Sequence, residues 1–340
     1  MDKSGAGSFI YAKASGIIGK SFVGSRAQYL FEQKSLSDLW TLLFHTPVPL
    51  MPEALLAEEI EKQAFKRFVS TYAYFVGLYS NPSSILTDQL LIYEAENLKE
   101  IGAALCSGET KCPSLIEIGK LQSLHVECWP EIQKITKDTT FSWYNHIPAV
   151  HEQQKMEYKI DLQVLRQLWK SLNKLTGENR EVLYELFKEE YIISNIIWAL
   201  RLKVHYQYKS EQIIPNLMYV TDDMKIDDPI AAPAIKIIDY PVDEYEVWEK
   251  WHYKDLLNPH TPGEIWNVDP GWIERMSRMK FSKNALHIFH QHPMTEASLI
   301  GWFKVKSTEL SYIRTAVESI RLCINANEAM DALGIYTGAR

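Results

Sequence analysis

One helical pattern recurs three times along the chain, and it limits the possible folds more than any single motif does. Apolar side chains recur at three- and four-residue spacing around Asn97, Asn195 and Tyr312. Such spacing places side chains on one face of an α-helix. The copies lie roughly 100 residues apart, too far for a solenoid repeat of about 20 to 50 residues. We therefore expect three related helical-bundle domains, over residues 1–120, 121–228 and 229–340.

In two of the three copies an asparagine interrupts the apolar face. A buried side-chain amide must find hydrogen-bond partners, so Asn97 and Asn195 are expected to be structural residues that fix the register of their helices. Tyr312 takes the place of the asparagine in the third copy. The three faces comprise Leu86, Leu90, Tyr93, Asn97, Ile101 and Leu105; then Tyr184, Phe187, Tyr191, Asn195, Trp198 and Leu202; and then Leu299, Phe303, Leu310, Ile313, Val317, Ile320 and Ile324.

The low glycine content favours an all-α fold. Glycine accounts for 15 of the 340 residues, well below the average of about 7%, and barrels, sandwiches and doubly wound sheets need glycine in their tight turns. The alternation typical of strands is scarce along the chain. The exception is Ile235–Ile238, in the segment 219–242 that is rich in Asp, Ile and Pro, and this stretch is predicted to be extended or a linker.

Capping and breaking residues divide the helical pattern into segments. The turn-rich stretch Asn258–Gly271 interrupts the last of them and is a candidate recognition loop, because such loops carry function on rigid scaffolds. We expect helices over 9–45 in two parts, the second capped at Ser35 or Ser37, over 53–79, from Asn81-Pro82 to Ser107-Gly108, over most of 115–210, and over most of 243–340.

Charge, hydropathy and cysteine content exclude several classes of protein. The formal charge is -7, from 36 basic and 43 acidic side chains, so nucleic acid is not an expected partner. The N-terminal sequence lacks the apolar core of a secretory signal, and no stretch of about 18 apolar residues could span a bilayer. We expect a cytoplasmic protein without direct membrane insertion. Cys106, Cys112, Cys128 and Cys323 form no CxxC pair and are expected to be reduced and mostly buried.

A phosphate-binding loop is the sharpest catalytic alternative. The segment Ala14–Ser21 fits a relaxed form of that pattern, with Lys20 and Ser21 where a β/γ-phosphate contact and a magnesium ligand would lie. Such a loop needs a buried parallel strand before it and a helix after it. Helical repeats provide no such strand, so we expect closely packed helix here instead.

Other polar and aromatic clusters are predicted to be structural, and no catalytic, cofactor-binding or metal-binding residue is assigned. The histidines His287, His290 and His292 lack a nearby carboxylate or thiolate to complete a metal site. The pairs Glu58-Glu59 and Glu189-Glu190 are expected on solvated helix faces. The aromatic segment Tyr245–Tyr253 is expected to be core rather than a partner anchor.

Short motifs in the repeats resemble a known family. The first repeat contains Glu94-Ala95-Glu96-Asn97-Leu98, the second contains Asn195-Ile196 followed by Leu200-Arg201-Leu202-Lys203, and the third runs from Lys306 through Glu309 to Arg314. Their order and spacing resemble the C-type subunits of V-type (archaeal-type) ATPases and ATP synthases, a family that includes the d-type subunits of the eukaryotic membrane sector. The N-terminal segments Tyr11–Leu30 and Leu36–Leu43 are similar to that family's first helices. The chain departs from the pattern at Ile192, where the second repeat lacks the acidic residue, and at Tyr312.

The resemblance implies a funnel-shaped, pseudo-threefold helical protein that catalyses no reaction and needs no cofactor. It would form a socket between the central stalk of a rotary machine and the membrane-embedded ring of proteolipid subunits, and it would transmit torque between ATP turnover and H⁺ or Na⁺ transport. The chain would then be peripherally attached to the membrane through the complex. Two alternatives stay open at this point: a phosphate-loop nucleotide enzyme centred on Lys20 and Ser21, and a general helical adaptor.

Overall fold

The computed structural model describes residues 3–335, and every regular element in that range is helical. The sequence-based prediction of an all-α fold is therefore confirmed. The α-helices are α1 (Lys3–Ile18), α2 (Gln28–Phe31), α3 (Leu36–Phe44), α4 (Glu53–Gly77), α5 (Ser84–Asp88), α6 (Leu91–Cys106), α7 (Ile132–Ile135), α8 (Gln153–Leu172), α9 (Gly177–Val204), α10 (Ser210–Ile213), α11 (Ala232–Ile238), α12 (Tyr245–Trp248), α13 (Pro270–Gln291), α14 (Glu296–Arg321) and α15 (Ala326–Leu333). Single turns of 3-10 helix lie at Gly24–Ala27, Gly119–Leu121, Val126–Cys128, Val150–Glu152, Ile214–Asn216 and Lys254–Leu256.

The chain divides into two compact units. One comprises Met1–Ile10 with Phe65–Arg180, and the other comprises Tyr11–Ala64 with Glu181–Arg340. The borders fall inside α1, α4 and α9, so the division does not follow helix ends. The three repeats over 1–120, 121–228 and 229–340 stay a prediction.

In the first unit, α5 and α6 both pack on α8 through buried polar contacts. Asp88 accepts hydrogen bonds from Ser171 and from Gln167, both on α8. Lys99 of α6 pairs with Asp161 of α8 at 2.7 Å between Nζ and Oδ1. A buried carboxylate is stable only with donors of this kind around it, so these contacts fix how the three helices align.

In the second unit, α2, α3, the first half of α4, α14 and α15 share one apolar core. Helices α13 and α14 form an antiparallel hairpin beside it, and their backbones approach closely at Gly301. A Cβ atom on Gly301 would lie 2.7 Å from the carbonyl oxygen of Ala285 and 3.0 Å from the amide nitrogen of Phe289. The core residues are Ala27, Leu30, Phe31, Leu36, Leu39, Trp40, Leu43, Leu56, Ala57, Ile60, Ala64, Tyr312, Ile313, Ala316, Val317, Ala329, Met330 and Leu333.

Local signals located the start of α3 and the extent of α4 correctly. Ser35 caps α3, with its side chain accepting from the amide of Asp38 at 3.1 Å. The predicted helix over 53–79 is α4, which runs over Glu53–Gly77. Capping side chains and prolines act within one helical turn, which is why the sequence reveals them.

Three helix predictions were wrong. The helix expected from Asn81 to Gly108 is broken between Asp88 and Leu91, because α5 and α6 pack separately on α8. Most of 107–152 is irregular, and many of its backbone amides bond to carbonyls in turns rather than in α-helix. The stretch Ile235–Ile238, expected to be extended or a linker, lies in α11.

Replacement of Gly301 by alanine should destabilise the second unit by about 1 to 3 kcal/mol, because the added methyl group would force two packed backbones apart. The exposed glycine Gly16 is the matched control, since a Cβ atom added there would have no heavy atom within 4 Å. Gly16→Ala should stabilise the protein by up to about 1 kcal/mol. Urea unfolding of both variants checks this, and a neutral Gly301→Ala would contradict the close approach.

Candidate interaction surface

Asparagines on α6 and α9 hold the irregular connections that follow these helices. The Asn97 side chain donates to the carbonyl of Ile116 at 2.9 Å and accepts from the amide of Ile116 at 2.7 Å. The Asn195 side chain donates to the carbonyl of Met218 at 2.9 Å and accepts from the amide of Met218 at 2.8 Å. It also donates to the carbonyl of Ile230 at 3.1 Å. Both asparagines are buried. Each amide thus satisfies both backbone groups of a residue distant in sequence, and the predicted structural role is confirmed.

Buried glutamates lie three residues before Asn97 and Tyr312, and they too accept hydrogen bonds from the backbone of distant residues. Glu94 accepts hydrogen bonds from the backbone amide and the hydroxyl of Ser123. Glu309 accepts from the amide of Phe22 at 2.7 Å, and Lys306 pairs with its other oxygen. Burial raises the pKa of Glu94, while the hydrogen bonds from Ser123 oppose that shift. The equivalent residue of the second repeat is the buried Ile192, which packs instead of accepting a hydrogen bond.

The phosphate-loop alternative is contradicted by the geometry of its segment. Residues Ala14–Ile18 are the last turn of α1, and no strand occurs anywhere in the described range. Ser21 is buried, its hydroxyl donating to the carbonyl of Ile17 at 3.1 Å and accepting from Lys306 at 3.1 Å. Lys20 is exposed on the other side of the turn. Nothing here can cradle a phosphate, because the amides of this segment are used in helix and turn hydrogen bonds.

The basic residues of the second-repeat motif also have structural partners. Arg201 forms a 2.6 Å ion pair with Glu274 of α13. Lys203 donates to the carbonyls of Ile238 and Tyr240 at the end of α11. A cation at a helix C-terminus satisfies carbonyls that lack helical partners and interacts favourably with the helix dipole. Burial lowers the pKa of Lys203, and the negative charge of Asp239 opposes that shift.

The acidic pair on α9 is not on a solvated face, which corrects the prediction. Glu189 pairs with Lys280 of α13 at 2.7 Å, and Glu190 pairs with Lys304 of α14 at 2.7 Å. All four lie on helices that pack together in the second unit, so packing rather than sequence decided these contacts. Glu58, by contrast, is exposed as expected.

The remaining polar candidates form no reactive site. His287 and His290 are exposed on α13, and no group of three His, Cys, Asp or Glu side chains in residues 3–335 is arranged to hold a metal ion. The prediction that the cysteines are mostly buried was wrong, since Cys112 and Cys323 are exposed and Cys106 and Cys128 are only half-buried. No helix in the described part of the chain is long and apolar enough to cross a membrane.

Of the predicted recognition loop Asn258–Gly271, residues 258–269 lie before α13, and Pro270 and Gly271 begin that helix. Asn258 holds its base: its amide group donates to Asn267 at 3.0 Å, its side-chain oxygen accepts from Asp269 at 3.1 Å, and its backbone carbonyl accepts from the Trp266 indole at 3.2 Å. At the tip, the backbone amide of Glu264 donates to the carbonyl of Thr261 at 3.1 Å. We call this segment the 258–269 loop.

The tip of the 258–269 loop presents an apolar side chain to solvent. Pro262 and Gly263 occupy the centre of the turn, and Gly263 has a φ of 92°, a conformation that favours glycine. All residues from 261 to 265 are exposed, and the Ile265 side chain is 95% exposed. An ordered loop with a fully exposed isoleucine is a candidate contact for another protein.

Aromatic residues of the segment 245–251 support this loop. Tyr245 stacks on His260, with ring centroids 4.2 Å apart, and meets Trp266 edge to face at 5.2 Å. Trp248 and Trp251 are buried, as predicted for core residues of Tyr245–Tyr253, whereas Tyr245 and Tyr253 are half-buried. The base of the loop is therefore packed on aromatic side chains and fixed by hydrogen bonds, and only its tip extends into solvent.

Comparison with known proteins finds matches that cover nearly the whole chain. The family described as ATP synthase (C/AC39) subunit matches residues 10–332. A protein of Treponema pallidum (strain Nichols), described only as uncharacterized, is 25% identical over 329 residues, covering 97% of this chain and 95% of its own length. The family match therefore spans both compact units.

Replacement of Asn195 by alanine should cost about 2 to 4 kcal/mol of stability, because it leaves the buried polar groups of Met218 and Ile230 without a partner. Ser194 is the matched control, since it is exposed and its hydroxyl bonds only within its own helix. Ser194→Ala should change stability by less than about 0.5 kcal/mol. Chemical denaturation measures both, and equal losses would contradict the role given to Asn195.

The buried Glu94 should make stability depend on pH. A carboxyl whose pKa is raised in the native state binds its proton more tightly there than in the unfolded chain. Its contribution to stability is thus present below the ordinary pKa of 4.5 and is lost as the pH rises through the raised value. Relative to Glu94→Gln, the wild-type protein should lose free energy of unfolding as the pH is raised above 4.5.

Glu100 provides the control for this measurement, because it is exposed on the same helix. The Glu100→Gln variant should keep the wild-type change in unfolding free energy over that range. A wild-type protein and a Glu94→Gln variant with parallel pH profiles would show that burial of Glu94 has no such effect.

Proposed function

Because the chain belongs to the ATP synthase (C/AC39) subunit family, we propose that it is the non-catalytic rotor socket of a V-type ATPase or ATP synthase. In this role it links the central stalk to the proteolipid ring of the membrane sector. It transmits torque between ATP turnover on other subunits and the transport of H⁺ or Na⁺. The family match over residues 10–332 is the observation that carries this proposal.

The packing within each unit supports a mechanical role. Buried polar side chains on α6, α9 and α14 hold the irregular connections by hydrogen bonds, so these segments are fixed to helices. Interiors packed in this way have low compressibility and transmit strain. The proposal includes three helical repeats arranged with pseudo-threefold symmetry, as a socket around a shaft requires.

The geometry of the N-terminal segment supports a non-catalytic role. Lys20 and Ser21, the residues that favoured a nucleotide enzyme, lie after a helix, and Ser21 is engaged by Lys306. We propose that ATP is bound and hydrolysed by other subunits of the complex. Attachment to the proteolipid ring on the cytoplasmic side then accounts for a peripheral position at the membrane.

Affinity purification tests the assignment to the complex. The tagged full-length chain is isolated from gently solubilised membranes of cells that produce it, and its partners are identified by mass spectrometry. We expect central-stalk and proteolipid subunits, with ATPase activity in the complex and none in the isolated chain. An isolated chain that hydrolyses ATP, and loses this activity on Lys20→Ala, would overturn the proposal, as would recovery of neither type of subunit.

Rotation of the chain tests the finer part of the same proposal. The exposed Cys323 offers an attachment point for a bead after Cys112, the other exposed cysteine, is changed to serine. In a complex immobilised through its catalytic subunits, ATP should drive rotation of the bead. A stationary bead on a complex that hydrolyses ATP would show that the chain belongs to the stator.

A further inference from the structure

The 258–269 loop and the exposed acidic residues of segment 240–257 form one surface that fits a basic partner. We propose that this surface binds the central stalk, through an apolar pocket for Ile265 surrounded by basic side chains. This inference rests on the proposed function, since it assigns to one surface a partner that the rotor socket must have.

The first step of the argument is the exposed isoleucine. Ile265 is 95% exposed at the tip of a loop whose base is fixed by three hydrogen bonds to Asn258. A preordered loop loses little conformational freedom on binding, so most of the contact energy of Ile265 is available for affinity. A projecting apolar side chain that enters a pocket is the typical centre of a protein interface.

The second step is the distribution of charge. Residues 240–269 carry seven acidic side chains and two lysines, a net charge of -5 in a chain whose total is -7. All of the acidic side chains are exposed except Asp269, which is half-buried. They are Asp243, Glu244, Glu246, Glu249, Asp255, Glu264 and Asp269.

This acidic segment is contiguous with the loop. The amide of Val268 donates to the carbonyl of Val242 at 2.9 Å, and Tyr245 stacks on His260 at a centroid distance of 4.2 Å. The acidic residues at 244 and 246 therefore flank a residue that packs on the loop. A partner that receives Ile265 must meet this negative potential, and a basic surface does so favourably.

The third step distinguishes the stalk from the ring. The proteolipid ring is embedded in a bilayer whose cytoplasmic leaflet is negatively charged, and its surface potential acts over about a Debye length. An acidic surface is repelled there. The same surface has no such penalty on the side that faces away from the membrane, where the central stalk lies in the proposed assembly.

A second loop provides a matched control. Ile226 is 75% exposed and lies in the same unit. Asp222, Asp223 and Asp227 are close to it in the sequence, so it too is an exposed isoleucine in an acidic segment. It lies outside the 258–269 loop and its acidic neighbours. Any general effect of removing an exposed isoleucine should therefore be equal in the two variants.

Binding of the full-length chain to two purified probes tests the inference. One probe is the isolated central-stalk subunits and the other is the proteolipid ring in nanodiscs, each measured at low and at physiological salt. Ile265→Ser should weaken stalk binding by about tenfold or more, while Ile226→Ser should leave it unchanged. The double variant Glu246→Lys and Glu249→Lys should slow stalk association and reduce its salt dependence. None of these changes should affect ring binding.

Each other outcome contradicts a specific statement. A wild-type chain that binds neither probe overturns the proposed function itself. A wild-type chain that binds both, with unchanged stalk affinity in Ile265→Ser and in the charge reversal, overturns only the assignment of this surface. Loss of ring binding in these variants would show that the surface faces the ring. Because the altered side chains are exposed, unchanged unfolding midpoints should verify that the variants fold.

Discussion

Hydrogen bonds from buried side chains to distant backbone are the interaction on which the rest of this structure depends. Segments without α-helix lie at 19–23 after α1, at 107–131 after α6 and at 217–231 before α11, and much of their backbone lacks the partners that an α-helix supplies. Buried polar backbone without partners is costly. Asn97, Asn195, Glu94 and Glu309 supply those partners from inside helices. Each connection is thereby held against a helix without forming a sheet.

The three similar helical segments solve this problem with different side chains. The first uses both a glutamate and an asparagine, the second uses Asn195 with an isoleucine at the acidic position, and the third uses Glu309 with Tyr312 in place of the asparagine. Lys306 offsets the buried charge of Glu309, whereas Glu94 relies on donors from Ser123. Buried charges need a counter-charge or several donors, and either arrangement meets that need. The side chains at these positions therefore differ between the three segments, but in each segment at least one of them bonds to the backbone of a connection.

The contrast between buried residues that hold the scaffold and an exposed loop connects the structure to the proposed function. Polar motif residues such as Glu94, Asn97 and Asn195 are buried, and they hold connections against helices. In the proposed assembly, contact with the stalk falls to the 258–269 loop, whose base is held by contacts with Tyr245 and Asn258. A protein that transmits force between two partners needs this combination, because a deformable scaffold would absorb the strain it should pass on.

The sequence by itself determined the features that depend on neighbouring residues: the all-α class, the cap at Ser35, the length of α4, and the asparagines on the apolar faces. Tertiary structure decided everything that joins distant residues. The partners of Asn97 and Asn195 lie 19 to 35 residues away, and Glu309 reaches a residue 287 positions away. The same packing broke the predicted helix at Asp88, made Ile235–Ile238 helical and paired Glu190 with Lys304. Periodicity and capping act over a few residues, whereas these contacts exist only once the helices have packed.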